Sequence, residues 1–272
     1  MALFCRKEEV DEQREEMLHC TDMAGIVFLF GLAVGSFLNV LIDRLPRGQN
    51  VISDRSRCDH CKKTLRWFEL IPVISFFVQG GRCRRCRGTL SWQYPIVELV
   101  TAVGFVVIYG FYEAHGSYGT NGVRALLSWY LIYSSFLVIF VADLKDQIIP
   151  DSMVLIGIFG AIGVIGVIGE HVLAGIGASI FFSVLLLITR GKGMGFGDVK
   201  FAFLMGLLLG FPKIIVASYL AFLTGAGVGV ILILLGMKKL KGTVAFGPFL
   251  IIGTVVAFVW GNQLIEFWKK IV

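Results

Sequence analysis

The chain has 272 residues, of which 56% are hydrophobic and 16% are charged. This composition excludes an ordinary water-soluble domain and indicates a polytopic membrane protein. The net charge of +6 does not indicate nucleic-acid binding, because the basic residues cluster in loops beside apolar segments. Basic residues in that position determine membrane topology. We therefore expect a lipid bilayer, and no nucleic acid, as a partner.

Eight apolar segments follow a polar extension, residues 1–22, which carries seven Asp/Glu and three Lys/Arg and so differs from a cleavable signal peptide. The predicted fold class is an all-α polytopic membrane protein with about eight transmembrane helices. We place these spans at about 23–42, 95–115, 123–142, 150–169, 171–189, 198–210, 213–236 and 243–260. The sixth span is short, and its loss would reverse the topology of everything downstream.

The basic loops give an orientation. Segment 43–94 carries eleven Lys/Arg against four Asp/Glu, and two further basic loops, 190–198 and 238–241, fall on the same predicted side. An excess of Lys/Arg beside a span marks the cytoplasmic face. The sequence therefore predicts that these loops are cytoplasmic and that both termini lie outside.

Two aspartates stand where loops meet apolar segments. Asp143 closes the third predicted span, and Asp198 opens the sixth, at the end of Gly195-Phe196-Gly197-Asp198. Two neighbouring carboxylates share a proton, as the catalytic pair of an aspartic protease does. We expect Gly195 and Gly197 to let the backbone approach a substrate closely and to allow φ above zero. In the alternative, the aspartates are interfacial and solvated, or they pair with Lys145, Lys192 or Lys200.

Other protease chemistries lack their residues. None of the four histidines, His19, His60, His115 and His171, begins an HExxH motif, and only His60 falls on the predicted cytoplasmic side. The chain therefore lacks the residues that a membrane metalloprotease or a Ser/His enzyme requires.

Four cysteines form two CxxC motifs, Cys58/Cys61 and Cys83/Cys86, with 21 residues between the motifs. This spacing is typical of a closed, structural zinc site, and a cytoplasmic location disfavours disulfides. A pair of redox motifs is the alternative, although no thioredoxin-like unit surrounds them. His60 is a conceivable substitute ligand. Cys5 and Cys20 lie outside this framework, and pairing between them remains an option.

Several motifs resemble those of the bacterial type IV prepilin peptidases, which are GxGD membrane aspartic proteases, as are the presenilin and signal-peptide-peptidase group. The resemblance implies that Asp143 and Asp198 are the catalytic pair and that Asp146 and Asp151 are accessory or structural. The matching segments are 35–40 with 44–46, Asp143 with 149–151, 195–200, and 246–249. One departure is Asp59, which stands where the family more often has Pro.

The resemblance also implies a function and an organisation. It implies cleavage of type IV prepilins and pseudopilins after a glycine at the cytoplasmic face of the bacterial inner membrane. It further implies zinc in a module spanning 43–94, a peptidase domain over 95–272, and S-adenosylmethionine-dependent methylation of the new N-terminus. We expect the groove of the helix bundle and local carboxylates such as Glu69 or Glu98 to determine leader specificity. The alternative is a transporter or secretion-system subunit with ion-binding aspartates.

Overall fold

A computed structural model describes the chain except for residues 1, 52–54, 59, 115–119, 167, 192, 237–244 and 272. It also leaves undescribed the side chains of helical residues 2–22, 114, 120, 121, 233 and 271. Within the described residues the regular secondary structure is helical, apart from two isolated β-bridges, Arg57–Thr64 and Arg82–Thr89; turns and irregular segments connect these elements. The predicted all-α class is confirmed.

Nine α-helices and one 3₁₀ turn, Trp67–Leu70, make up the described part of the chain. The helices are α1 (Ala2–Arg44), α2 (Ile74–Val78), α3 (Gln93–Ala114), α4 (Thr120–Asp146), α5 (Asp151–Ile165), α6 (Gly169–Ile188), α7 (Phe196–Leu209), α8 (Lys213–Leu234) and α9 (Gly247–Ile271).

Six helices are long and apolar enough to cross a membrane, judged over the described residues. They are α1 from Met23, α3, α4, α6, α8 and α9. The other two predicted spans correspond to α5, with 15 residues, and α7, with 14. A helix of that length rises only about 21–23 Å, less than the ~30 Å hydrocarbon core. The count of eight spans therefore stays a prediction.

Two boundaries differ from the predicted ones. The first helix begins at Ala2, so the polar extension continues the helix of the first span. The last helix runs over Gly247–Ile271 and not over 243–260, because the Gly-Pro pair at its start is compatible with a first helical turn and no breaker follows.

The chain divides into two compact units. The first comprises Met1–Leu41 and Val51–Leu126, and in it α1 packs against α3 through glycines. A Cβ at Gly31 would lie 2.6 Å from the Ala102 Cα, and one at Gly35 would lie 2.7 Å from the Glu98 Cα. The two glycines form a GxxxG motif that lets the backbones approach closely. Gly25, on the same helix, has nothing within 4 Å of its Cβ position and takes no part.

The second unit comprises Ile42–Asn50 and Leu127–Val272, and α7 lies at its centre. Ten residues of α7 are buried, as expected for a helix that is apolar on all sides. Helices α5, α6, α8 and α9 all pack against it. The contact with α6 is closest, since a Cβ at Gly206 would lie 2.5 Å from the Gly175 Cα.

The glycines of α5 recur at three-residue intervals and provide a flat packing surface. Cβ atoms at Gly157, Gly160 and Gly163 would each clash with residues of α4 or α7. Gly166 instead ends the helix with φ of +76°. This surface of α5 packs against α4, which carries Asp143, and against α7, which carries Asp198.

Candidate functional site

The last turn of α4 carries Asp143, whose side chain is buried with 5% of the residue exposed. The backbone N–H of Gly247, the first residue of α9, donates to Asp143 Oδ2 at 2.8 Å. The free N–H groups and the macrodipole at a helix N-terminus favour negative charge. A helix that is 104 positions away in sequence therefore stabilises and orients this carboxylate.

Asp198 occupies the first turn of α7 and is also 5% exposed. Its Oδ2 accepts a hydrogen bond of 2.8 Å from the backbone N–H of Gly195, the N-cap residue. This is the carboxylate half of a capping box, with glycine in the place of the usual Ser or Thr. The aspartate is thus fixed by its own helix, which the rest of the unit surrounds.

A cavity of about 640 Å³ joins the two aspartates. Both carboxyl groups line this cavity, so the two side chains face one common space. The lining combines these acids with glycines and aromatic side chains, among them Gly193, Gly195, Gly225, Phe196, Phe246 and Phe249. The structure therefore brings Asp143 and Asp198 to one site, as their predicted location on a common side requires.

Lysines do not neutralise the pair, as far as the described residues show. Lys145 Nζ bonds Asp43 Oδ1 at 2.6 Å, and Lys200 Nζ contacts both carboxylate oxygens of Asp151 at 2.7 Å. The alternative that Lys145 or Lys200 pairs with the buried aspartates therefore fails for these two lysines. Lys192 lies outside the described residues.

The glycines of the Gly195–Asp198 motif act differently from our expectation. Gly195 has φ of −90°, and Gly197 is helical, so neither uses the region above zero. Gly197 instead allows close internal packing, since a Cβ there would lie 2.8 Å from the Ile149 Cβ. Gly195 contributes the amide that holds Asp198.

The four predicted zinc ligands, Cys58, Cys61, Cys83 and Cys86, are free thiols whose sulfur atoms all lie within 4.8 Å of one another. Sγ of Cys58 and Sγ of Cys86 are 3.8 Å apart. Tetrahedral zinc at about 2.3 Å from each sulfur needs sulfurs about 3.8 Å apart, whereas a disulfide needs about 2.05 Å. The residues fit a structural zinc ion, and the cluster can hold one.

The two halves of this cluster repeat each other in sequence and in backbone geometry. The pattern R-C-x-x-C-x-x-T-L-x-W occurs at 57–67 and again at 82–92. In each half the first cysteine donates its N–H to a carbonyl five residues on, at 3.0 Å for Cys58 and 2.8 Å for Cys83. Our sequence analysis used the cysteines alone, although this repeat already marked the full extent of each knuckle.

Backbone amides favour the thiolate form of Cys83. The N–H groups of Cys86 and Arg85 donate to its sulfur and lower the pKa of the thiol to about 6. Thiolates are the form that binds metals. His60 does not join the sulfur cluster, since its ring nitrogen lies 3.3 Å from the Thr89 carbonyl oxygen. Cys5 and Cys20 fall where no side chains are described.

Both glutamates expected to recognise the leader already accept backbone hydrogen bonds. Glu98 is 7% exposed, accepts one hydrogen bond of 2.7 Å from the Val73 N–H at Oε2, and also contacts Ser36. Glu69 Oε2 accepts from the Arg66 N–H at 2.7 Å. The bond from Val73, which lies between the two knuckles, connects that segment to Glu98 of α3. Because the Glu98 carboxylate is buried in this contact, it is unsuited to binding a basic peptide.

Comparison with known proteins identifies two family regions. Residues 29–112 match the Bacterial Peptidase A24 N-terminal domain, and residues 130–230 match the Type IV leader peptidase family. The second region contains both buried aspartates. No solved structure matches the chain.

Curated relatives named "Prepilin leader peptidase/N-methyltransferase" cover almost the whole chain. The Aeromonas hydrophila protein is 33% identical over 89% of this chain and 92% of its own length. The Bacillus subtilis (strain 168) protein is 32% identical over 91% of this chain and 98% of its own length. The Pseudomonas aeruginosa protein is 30% identical over 87% of this chain and 90% of its own length. With the two family regions and the aspartate cavity, these similarities show that the chain belongs to the type IV leader peptidase family.

Proposed function

We propose that the chain is a membrane aspartic endopeptidase that removes the leader of type IV prepilins and pseudopilins. The observation that carries the proposal is the cavity in which two buried carboxylates, Asp143 and Asp198, are each held by one backbone amide. The names of the relatives supply the substrate class. Cleavage after the glycine that ends the leader comes from the family resemblance.

In the proposed reaction the pair holds one proton. The ionised aspartate accepts a proton from water as the water oxygen attacks the scissile carbonyl carbon, while the protonated aspartate donates to the carbonyl oxygen. Collapse of the tetrahedral intermediate breaks the C–N bond. The aspartate that accepted the water proton passes it to the leaving amine nitrogen, and a hydroxyl proton of the intermediate returns to the other aspartate. The amides of Gly247 and Gly195 keep the two carboxylates oriented throughout.

The proposed location is the bacterial inner membrane, with about eight spans and with the aspartates at the cytoplasmic face. The basic loops support this orientation. The proposed organisation has four parts in chain order. A polar extension covers residues 1–22 and a first span covers 23–42. A cytoplasmic zinc-binding module follows over 43–94, and a peptidase domain covers 95–272. Zinc held by Cys58, Cys61, Cys83 and Cys86 would hold the two knuckles together and has no catalytic role.

We further propose that the enzyme methylates the new N-terminus with S-adenosylmethionine. The support is the name shared by the relatives, and we assign no residue to this cofactor. Mass spectrometry of cleaved pilin incubated with the cofactor tests the activity. The expected product gains the mass of one methyl group, and an unmodified product would remove this part of the proposal.

The decisive experiment measures prepilin cleavage by purified protein in proteoliposomes. We expect Asp143→Asn and Asp198→Asn each to lower kcat at least about 100-fold, because each removes a proton-transfer group. Glu266→Gln, an exposed carboxylate on α9, is the control and should cleave normally. A transporter or secretion-system subunit with ion-binding aspartates predicts no cleavage by the wild type, which would reject the peptidase assignment.

A further inference from the structure

A second cavity, of about 910 Å³, lies between α6 and α8 in the same unit as the aspartates. Its walls are almost entirely apolar. Small residues of α6 face larger apolar residues of α8 across it, chiefly Ala174, Gly177 and Ala178 opposite Ile214, Ile215 and Phe222. We call this cavity the α6/α8 groove.

The groove exists because its two walls pack on different neighbours. On α6, the backbone at Gly175 packs closely against Gly206 of α7. On α8, the backbone at Ala217 packs closely against Gly253 of α9. The helices α6 and α8 are therefore held apart along the groove. Gly177 is exposed and lines the groove, and no atom lies within 4 Å of the place that a Cβ would take there.

The groove ends next to the aspartate cavity, and an aromatic contact lies between the two. Phe222, at one end of the groove, lies 5.2 Å from Phe246, ring centroid to ring centroid, and Phe246 lines the aspartate cavity. Gly225, less than one turn beyond Phe222 on α8, lines that cavity as well. From Ile214 to Gly225, α8 lines first the groove and then the aspartate cavity, over about 17 Å at 1.5 Å per residue.

We propose that the α6/α8 groove docks the hydrophobic helix of the substrate that follows the scissile bond; this inference rests on the proposed peptidase function. The groove leads away from the aspartates, as a substrate helix must when its first residues lie at the catalytic pair. The α8 stretch that lines the groove and then the aspartate cavity matches about 11 helical residues of a substrate. The small-xxx-small pair Ala174 and Ala178 gives the close backbone approach by which membrane helices associate, whereas a lipid chain needs no such surface.

Gly177→Leu tests the inference, because the new side chain would fill the groove without displacing a packed neighbour. We expect at least a tenfold rise in KM for a full-length prepilin in proteoliposomes. A short peptide that ends a few residues past the scissile bond should be cleaved as by the wild type, which also shows that the variant is folded. Gly227→Leu, equally exposed and equally open on α8, is the matched control and should cleave both substrates normally.

A cross-linking measurement gives an independent readout. A photoreactive residue about eight positions after the scissile bond should label α6 or α8 in the wild type and lose that label in Gly177→Leu. Unchanged KM together with labelling elsewhere would reject docking in the groove and leave lipid or a second copy of the chain as its occupant. If the wild type cleaves neither substrate, it is the peptidase function that fails.

Discussion

The aspartate cavity and the tetracysteine cluster are the two polar centres of this chain, and the chain builds them in different ways. The cysteines belong to two short knuckles with the same local hydrogen bonds, so each half of that site is specified within about eleven residues. The aspartates depend on three helices that are distant in sequence, with Gly247 of α9 bonded to Asp143 of α4. A local site tolerates changes in the helix bundle, whereas the aspartate site depends on the packing of the whole unit.

The largest expected effect separates the two centres. Cys83→Ser should abolish zinc binding and leave residues 55–92 open to proteolysis, because a structural zinc ion contributes on the order of 10 kcal/mol to the folding of such a module. Zinc content measured by atomic absorption, together with limited proteolysis, checks this. Retention of about one zinc per chain in this variant would contradict the assigned ligand set.

The second prediction changes the aspartate centre alone. A Cβ at position 247 would lie 2.7 Å from Asp143 Oδ2, so Gly247→Ala should displace the carboxylate. Misplacing a reacting group by about 1 Å costs roughly 100-fold in rate, and we expect a fall in kcat of that size. Zinc content should be unchanged. Gly227→Ala, which adds the same methyl in open space, is the control; equal rates for the two variants would contradict a positioning role for Gly247.

A third change concerns the packing of the unit that carries the cysteines. Gly31→Leu would insert a side chain into the backbone of α3 and should destabilise the protein by about 1–3 kcal/mol. Gly25→Leu, on the same helix but in open space, should have little effect. Thermal unfolding of both variants in the same detergent measures the difference. Similar unfolding temperatures for the two would show that this helix contact is not close.

The smallest expected effect lies at the rim of the aspartate cavity. The Lys200–Asp151 ion pair has side chains that are 35% and 63% exposed, and exposed pairs contribute about 0–1 kcal/mol. Lys200→Met should therefore change kcat less than about threefold and barely alter thermal stability. A loss comparable to that of Gly247→Ala would instead place Lys200 in the reaction.

The sequence predicted the cysteine cluster fully, because the ligands of a zinc knuckle are close together and their spacing carries the geometry. It predicted a common side for Asp143 and Asp198 through the positions of the apolar segments, but the existence of a shared cavity required the packing around α7. The hydrogen bond from Gly247 was not predictable, since no local pattern relates residues 104 positions apart. The role of Glu98 was missed for the same reason, since its partner Val73 lies outside the helix that carries it.

The bond from Gly247 to Asp143 also sets the order in which the site is completed during synthesis. A nascent chain that has reached α8 already contains both acidic residues, yet the amide that orients the first of them has not been translated. The proposed hydrolytic centre is therefore assembled only when α9 has been synthesised and has packed against the helices that precede it.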